Sequence, residues 1–175
     1  MNGALDIRLC NVNDIEVLSA LAIKAYKEVY LYLWNDDGSW YINRVFSNEQ
    51  FQKEFEDSNA EFFMVLFNES PIGFMKLNID LPLPGFEDLD AMELERIYLL
   101  KSASGMGFGR KALEFCFEYA QSKHKEMIWL KSMDSSDALY FYSRMGFEEV
   151  GEYRLDYEIM KPEFRGMKIL MKRLT

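Results

Sequence analysis

The stretch MELERIYLLKSASGMGFGRKALEFCFEYAQSK, Met92 to Lys123, reads as a strand, a glycine-rich turn and an amphipathic helix in succession. Glu93 to Leu99 alternates charged and apolar residues and turns apolar from Ile97 to Leu100, which predicts a strand with one buried end. The turn runs from Ser102 to Gly109. Gly105, Gly107 and Gly109 have no Cβ, so the chain can bend sharply there and let a ligand approach its backbone. In the helix that follows, Ala112, Leu113, Cys116, Phe117 and Ala120 share one face, while Arg110, Glu114, Glu118 and Gln121 fall mostly on the other. A helix entered through glycines presents free amides and the positive end of its dipole, a seat for phosphate or pyrophosphate. A flexible strand-to-helix turn is the plainer reading of the same glycines.

Two well-known phosphate loops are excluded. A dinucleotide fingerprint needs glycine where Arg110 stands, and a P-loop needs Gly-Lys-Ser or Gly-Lys-Thr, which the chain lacks. The run IYLLKSASGMGFGRKAL instead resembles the acyl-CoA loop of the GNAT family of N-acetyltransferases, an apolar strand end followed by Arg/Gln-x-x-Gly-x-Gly/Ala opening a helix. Gly107 and Gly109 fall on its two glycines. Ser104 stands where Arg or Gln is usual and Lys101 where Pro is frequent, so one positive charge of the pattern is missing. Downstream, SSDALYFYSRMGF (Ser135 to Phe147) is similar to the family's Asn-x-x-Ala-x-x-Phe-Tyr-x-x-x-Gly-Phe. Ala138, Phe141, Tyr142, Gly146 and Phe147 match, and Ser135 replaces the Asn. MELERIYLL, the segment Gly73 to Asp80 and the segment Ile128 to Leu130 are further similar to the PaiA-type polyamine acetyltransferases.

The resemblance implies an α/β fold with a mixed, mostly antiparallel central sheet of about six or seven strands flanked by helices. It implies acetyl-CoA as acetyl donor, with Ile97, Tyr98 and Leu99 lying along the pantetheine arm like an added strand. Gly105, Met106, Gly107, Phe108, Gly109 and Arg110 would hold the pyrophosphate, with a polar contact from Ser135. Tyr142 matches the tyrosine that stands near the cofactor sulfur and would protonate the departing thiolate; packing beside Phe141 is its rival reading. An amine must lose a proton before it can attack, so a base is needed. Glu93 and Glu95 are two apart on a strand and project to one face. The resemblance to polyamine enzymes favours Glu95, and an ion pair with Arg96 is the structural alternative.

At 175 residues, with 49% hydrophobic and 15% aromatic residues, the chain suits one domain, residues 1–175, with a substantial core. A net charge of −9 argues against nucleic acid and favours a cationic or neutral partner, although solubility alone accounts for an acidic chain. Cys10 and Cys116 read as reduced core residues. No signal-like start or membrane-length apolar run is present, so a cytoplasmic protein is expected. No Cys/His cluster suggests a metal, and the lone His124 at a helix end is assigned no chemistry.

Along the chain, Asp6 to Cys10 predicts a strand, and Asn13 or Asp14 caps a helix to about Tyr30. Leu31 to Phe46, dense in aromatic residues, is either a wall of the acceptor pocket, as the resemblance implies, or plain core. A helix over Asn48 to Asp57 is capped by Asn48, and a hairpin joins Phe62–Phe67 to Ile72–Asn78 through the turn Asn68–Pro71. Asp80, Glu87, Asp88, Asp90, Glu93 and Glu95, with no Lys or Arg among them, suggest an electrostatic funnel towards the central strand, or a solvated loop. Met127–Lys131 predicts a strand, Ser135–Met145 a helix, and Phe147–Tyr153 and Met167–Leu174 two final strands. The function implied is acetyl transfer to a primary amine of a small polyamine-like acceptor in a ternary complex. A CoA-binding regulator with little turnover and a peptide or protein N-terminal acetyltransferase are the alternatives, and a homodimer is left open.

Overall fold

Asn11 opens the first helical segment. Its side chain accepts from Asn13 N–H (2.9 Å), and Asp14 accepts in return from Asn11 N–H (2.9 Å), a reciprocal capping box. Asn11 thus caps the short turn, while Asp14 stands at the N-cap position of the long helix, with its side chain turned back to Asn11. The short turn Val12–Asp14 separates strand β1 (Leu5–Leu9) from helix α1 (Ile15–Val29), whose Leu18, Leu21, Ala22 and Ala25 are buried. The aromatic stretch contains a helix not anticipated from the sequence, α2 (Ser39–Val45). Asp36 accepts from Gly38 N–H and Trp40 N–H at its start, fixing the turn that begins it. Ser47, not Asn48, caps α3 (Asn48–Phe55), accepting from Gln50 N–H at 3.2 Å. The computed structural model describes residues 3–174.

β2 (Ala60–Phe67) and β3 (Ser70–Asn78) form a hairpin. Its turn is the pair Asn68-Glu69, both with positive φ, so Ser70 and Pro71 already belong to β3. β4 (Ala91–Leu99), α4 (Phe108–Ser122), β5 (Met127–Met133), α5 (Ala138–Arg144), β6 (Glu148–Arg154) and β7 (Gly166–Arg173) complete the fold. The seven strands make one sheet in the order β1-β2-β3-β4-β5-β7-β6, and only β4 and β5 run parallel. α1, α2 and α3 cover one face over Leu18, Phe46, Phe51, Phe62 and Phe74. α4 and α5 cover the other over Met75, Leu77, Met92, Leu113 and Cys116. Both cysteines are buried and free. Among the described residues no helix is long and apolar enough to cross a membrane.

Candidate active site

Two irregularities in β4 create the site. The first is a register shift: Lys76 faces Arg96 and Leu77 faces Leu94, so Glu95 has no partner on β3. The extra residue reverses the alternation beyond it. Met92 and Leu94 face α4, as do Ile97 and Leu99 beyond the bulge, while Arg96 and Tyr98 turn towards the α1 side. Glu93 and Glu95 stay neighbours, both accepting from the Asn78 side-chain amide at 2.7 and 2.9 Å.

The second irregularity is a splay. β4 pairs with β5 only from Ala91 to Glu93, opposite Met127 to Trp129. Beyond Glu93 the two parallel strands part, and a cavity of about 290 Å³ opens between Leu94–Tyr98 and Leu130–Met133. Ala138 and Tyr142 of α5 line it from one face of the sheet; Tyr26, Tyr30, Trp34, Tyr41 and Tyr157 line it from the other. Trp34 stacks on Tyr41 (4.9 Å, 26°), and Tyr41 on Tyr26 (5.0 Å, 25°), so the aromatic stretch is both wall and core. The strand-like bridge between Trp34 and Met160 brings the segment after β6 across this wall. Tyr26, Tyr30, Tyr157 and Met160 were not singled out from the sequence, because only the fold gathers them.

At the end of β4, Gly105 and Gly107 have φ of 74° and 77°, and nothing lies within 4 Å of where a Cβ would stand on either. The glycines answer the backbone conformation, and the space beside them is open. α4 begins at Phe108, so Gly109 and Arg110 lie in its first turn rather than before it. Phe108 points inward against Phe67 at 4.9 Å, leaving its backbone as the part available to a ligand. Met106 is exposed. No side chain caps this helix; Lys111 N–H bonds back to Gly107 O at 3.2 Å, and the amides before it are the ones a helix leaves without internal partners. Arg110 pairs with Glu114 at 2.8 Å on the surface, so its charge is partly spent one turn along. The uncapped turn follows in sequence on the edge of β4 that β5 leaves unpaired, and the two together suit a ligand with a phosphate head and an extended arm.

The carboxylates differ in surroundings. Glu95 lines the cavity, with Oε2 on Lys76 (2.6 Å) and Oε1 on Arg96 (3.0 Å). Glu54 of α3 meets the same two cations, each at 2.9 Å, closing a ring of two acids and two bases. Burial alone would pull the Arg96 pKa down; Glu95 and Glu54 hold it up, so it stays charged. Glu93 is buried behind the ring and does not line the cavity. Burial lifts its pKa against the Asn78 hydrogen bond and Lys131, 3.8 Å away. Burial also raises the Tyr142 phenol well above its ordinary value, and it pushes Tyr41 up to about 12.

One expectation changes. The acids from Asp80 to Asp90 do not funnel into the cavity: they precede the start of β4, whereas the cavity lies at its far end. Leu83 of that loop is buried with Trp129 and Met171, and Asp80 pairs with Lys125, which holds the loop there. Ser135 is exposed just before α5 and shares a hydrogen bond of 3.2 Å with the Tyr32 hydroxyl, and its neighbour Ser136 lines the cavity. Ile97 and Tyr98 line the cavity, and Leu99 continues the same strand towards the turn. Among the described residues no group of His, Cys, Asp and Glu is arranged to hold a metal.

The chain belongs to the acetyltransferase (GNAT) family, whose profile matches residues 21–147. It is 24% identical over 119 residues to an uncharacterized N-acetyltransferase of Lactobacillus delbrueckii subsp. lactis, covering 67% of this chain and 69% of that one. It is 26% identical over 147 residues to an uncharacterized N-acetyltransferase of Methanocaldococcus jannaschii, a match of 82% of this chain that spans only 60% of the relative. Among solved structures, the PaiA N-acetyltransferase of Thermoplasma acidophilum, determined with coenzyme A, superposes with a TM-score of 0.76 at 20% identity, covering 97% of this chain and 99% of that one. The protein is an N-acetyltransferase of this family.

Proposed function

We propose that the chain transfers the acetyl group of acetyl-CoA directly to a primary amine of a small acceptor, which the sequence resemblance makes polyamine-like. The observation that carries the reading is the cavity between β4 and β5, lined by Ala138 and Tyr142 of α5 on one face of the sheet and by a cluster of aromatic rings on the other. The amides of Gly105 to Arg110 hold the pyrophosphate, and the free length of β4 from Ile97 to Leu99 guides the arm. Bound acetyl-CoA supplies a thioester carbon for the amine to attack. Glu95, the cavity-facing carboxylate, holds the incoming ammonium and takes its proton directly or through water. A β4 amide donates to the carbonyl oxygen, and Tyr142, kept protonated by burial, passes its proton to the departing sulfur.

The test is thiol release with a panel of amines, combined with Tyr142→Phe and Glu95→Gln. Turnover that falls at least about a hundredfold in each variant, with acetyl-CoA affinity unchanged, supports these roles. Acetyl-CoA binding with no turnover of any amine would point instead to a CoA-binding regulator.

A further inference from the structure

The inference rests on the proposed acetyl transfer to a small primary amine and departs from the polyamine-like acceptor that the sequence resemblance implies. We infer that the acceptor is a monoamine with an aromatic or bulky apolar body, and that the cavity discriminates against polycations such as spermidine. Among the described residues lining the cavity, only Glu95, Arg96 and Lys131 carry charge. Both Glu95 oxygens are already engaged, by Lys76 and Asn78 on one side and Arg96 on the other. The ring of Glu54, Lys76, Glu95 and Arg96 sums to zero charge, and Lys131 adds a positive one that lies 3.8 Å from Glu93. One ammonium can be met at Glu95. A second or third would enter the same small space with no carboxylate left to meet it, beside two fixed cations.

The acceptor-side wall offers surface for something else. Two of its polar groups are turned on each other: the Trp34 indole N–H donates to the Tyr26 hydroxyl at 2.8 Å. Tyr157 closes the wall against Trp34 (6.0 Å) and Trp40 (5.3 Å), so ring faces and edges, with Leu155 and Met160, form a continuous apolar part of the lining opposite the charged side chains of β4 and β5. Such a surface favours an aromatic or branched apolar group, whose burial needs no counter-charge. The chain's net charge of −9 draws cations in general, but its Asp80–Asp90 run lies at the other end of β4 and cannot serve the cavity.

The experiment compares kcat/KM for 2-phenylethylamine, tryptamine, isoamylamine and spermidine, with acetyl-CoA binding measured separately by calorimetry. We expect the three monoamines to exceed spermidine by roughly a hundredfold, the effect of leaving a buried charge unmet. Tyr157→Leu should raise KM for the aromatic amines while leaving the KM for acetyl-CoA in place. Leu155→Glu, which adds a free carboxylate to the lining, should move the ratio towards spermidine. Spermidine equal to or better than the monoamines overturns the inference and leaves amine acetylation standing. Turnover of N-terminal peptides alone overturns both the inference and the small-acceptor reading, and absence of acetyl-CoA binding removes the basis of both.

Discussion

Replacing Glu54 by alanine takes one anion out of a ring that otherwise closes on itself. Lys76 and Arg96, with side chains only 9% and 11% exposed, would then share Glu95 alone. Arg96 loses two hydrogen bonds to Glu54, at 2.9 and 3.0 Å, and Lys76 loses a contact at 2.9 Å. Breaking a buried ion pair from one side costs about 3–5 kcal/mol. Glu95 is 27% exposed, so water can reach the remaining charges, and the lower end, about 3 kcal/mol, is expected. For a chain of this length that is a fall in Tm of about 6–12 °C. Burial alone would raise the Glu54 pKa, but Arg96, Gln50 and Lys76 together bring it below its ordinary value. Its contribution is thus fully present above the ordinary glutamate pKa and is lost as the pH falls through the lowered one. The assay is thermal and urea unfolding of Glu54→Ala, Lys76→Met and the double variant, at neutral and acidic pH. The double variant restores charge balance as an Arg96–Glu95 pair and should be more stable than Glu54→Ala. A single variant within about 1 kcal/mol of the parent, or a double variant no better than the single, would refute the reasoning.

Three further outcomes are expected. Glu93→Gln should stabilise the protein above neutral pH, because a raised folded-state pKa means charge is held at a cost; that contribution is favourable below the unfolded pKa and is lost as pH rises through the folded one. The gain should vanish in acid, and a Tm difference that does not change with pH would contradict it. Gly107→Ala, at a φ of 77° with open space around it, should cost about 1 kcal/mol of stability but about tenfold in acetyl-CoA affinity, measured by calorimetry, as one amide donor loses its aim. Burial pushes both thiols, Cys10 and Cys116, up to about 12, so a thiol reagent at pH 8 should react with neither in the native protein and with both after unfolding.

The strand, turn and helix from Met92 to Lys123 could be read from sequence because each signal is local: alternation, a cluster of glycines, and a helical apolar spacing. The same holds for the hairpin and for the two buried cysteines. The bulge could not be read. In Glu93-Leu94-Glu95-Arg96-Ile97 an extra residue leaves no trace, since charged and apolar residues already alternate and only the partner strand reveals where the count slips. α2 was hidden by its aromatic composition, which suits strand or helix equally, and its start depends on Asp36. The destination of the acidic loop was set by Leu83 finding Trp129, a contact between segments far apart in the chain. Glu54 and Lys76 escaped notice for a similar reason: each reads as an ordinary charged position until α3 and β3 bring them to Glu95.

The three rungs that join β4 to β5 have a mechanical consequence. Within the described sheet β1 to β4 and β5 to β7 are two leaves of a book sewn at the foot of the spine, held together above it by the core under α4 and by the Trp34–Met160 bridge rather than by strand pairing. An arm laid along the open edge of β4 would stitch the pages together. Amides at the outer ends of β4 and β5 should then exchange with deuterium more slowly with coenzyme A bound, and the melting temperature should climb with ligand concentration, by about 2.7 kcal/mol of added stability at a hundred times Kd.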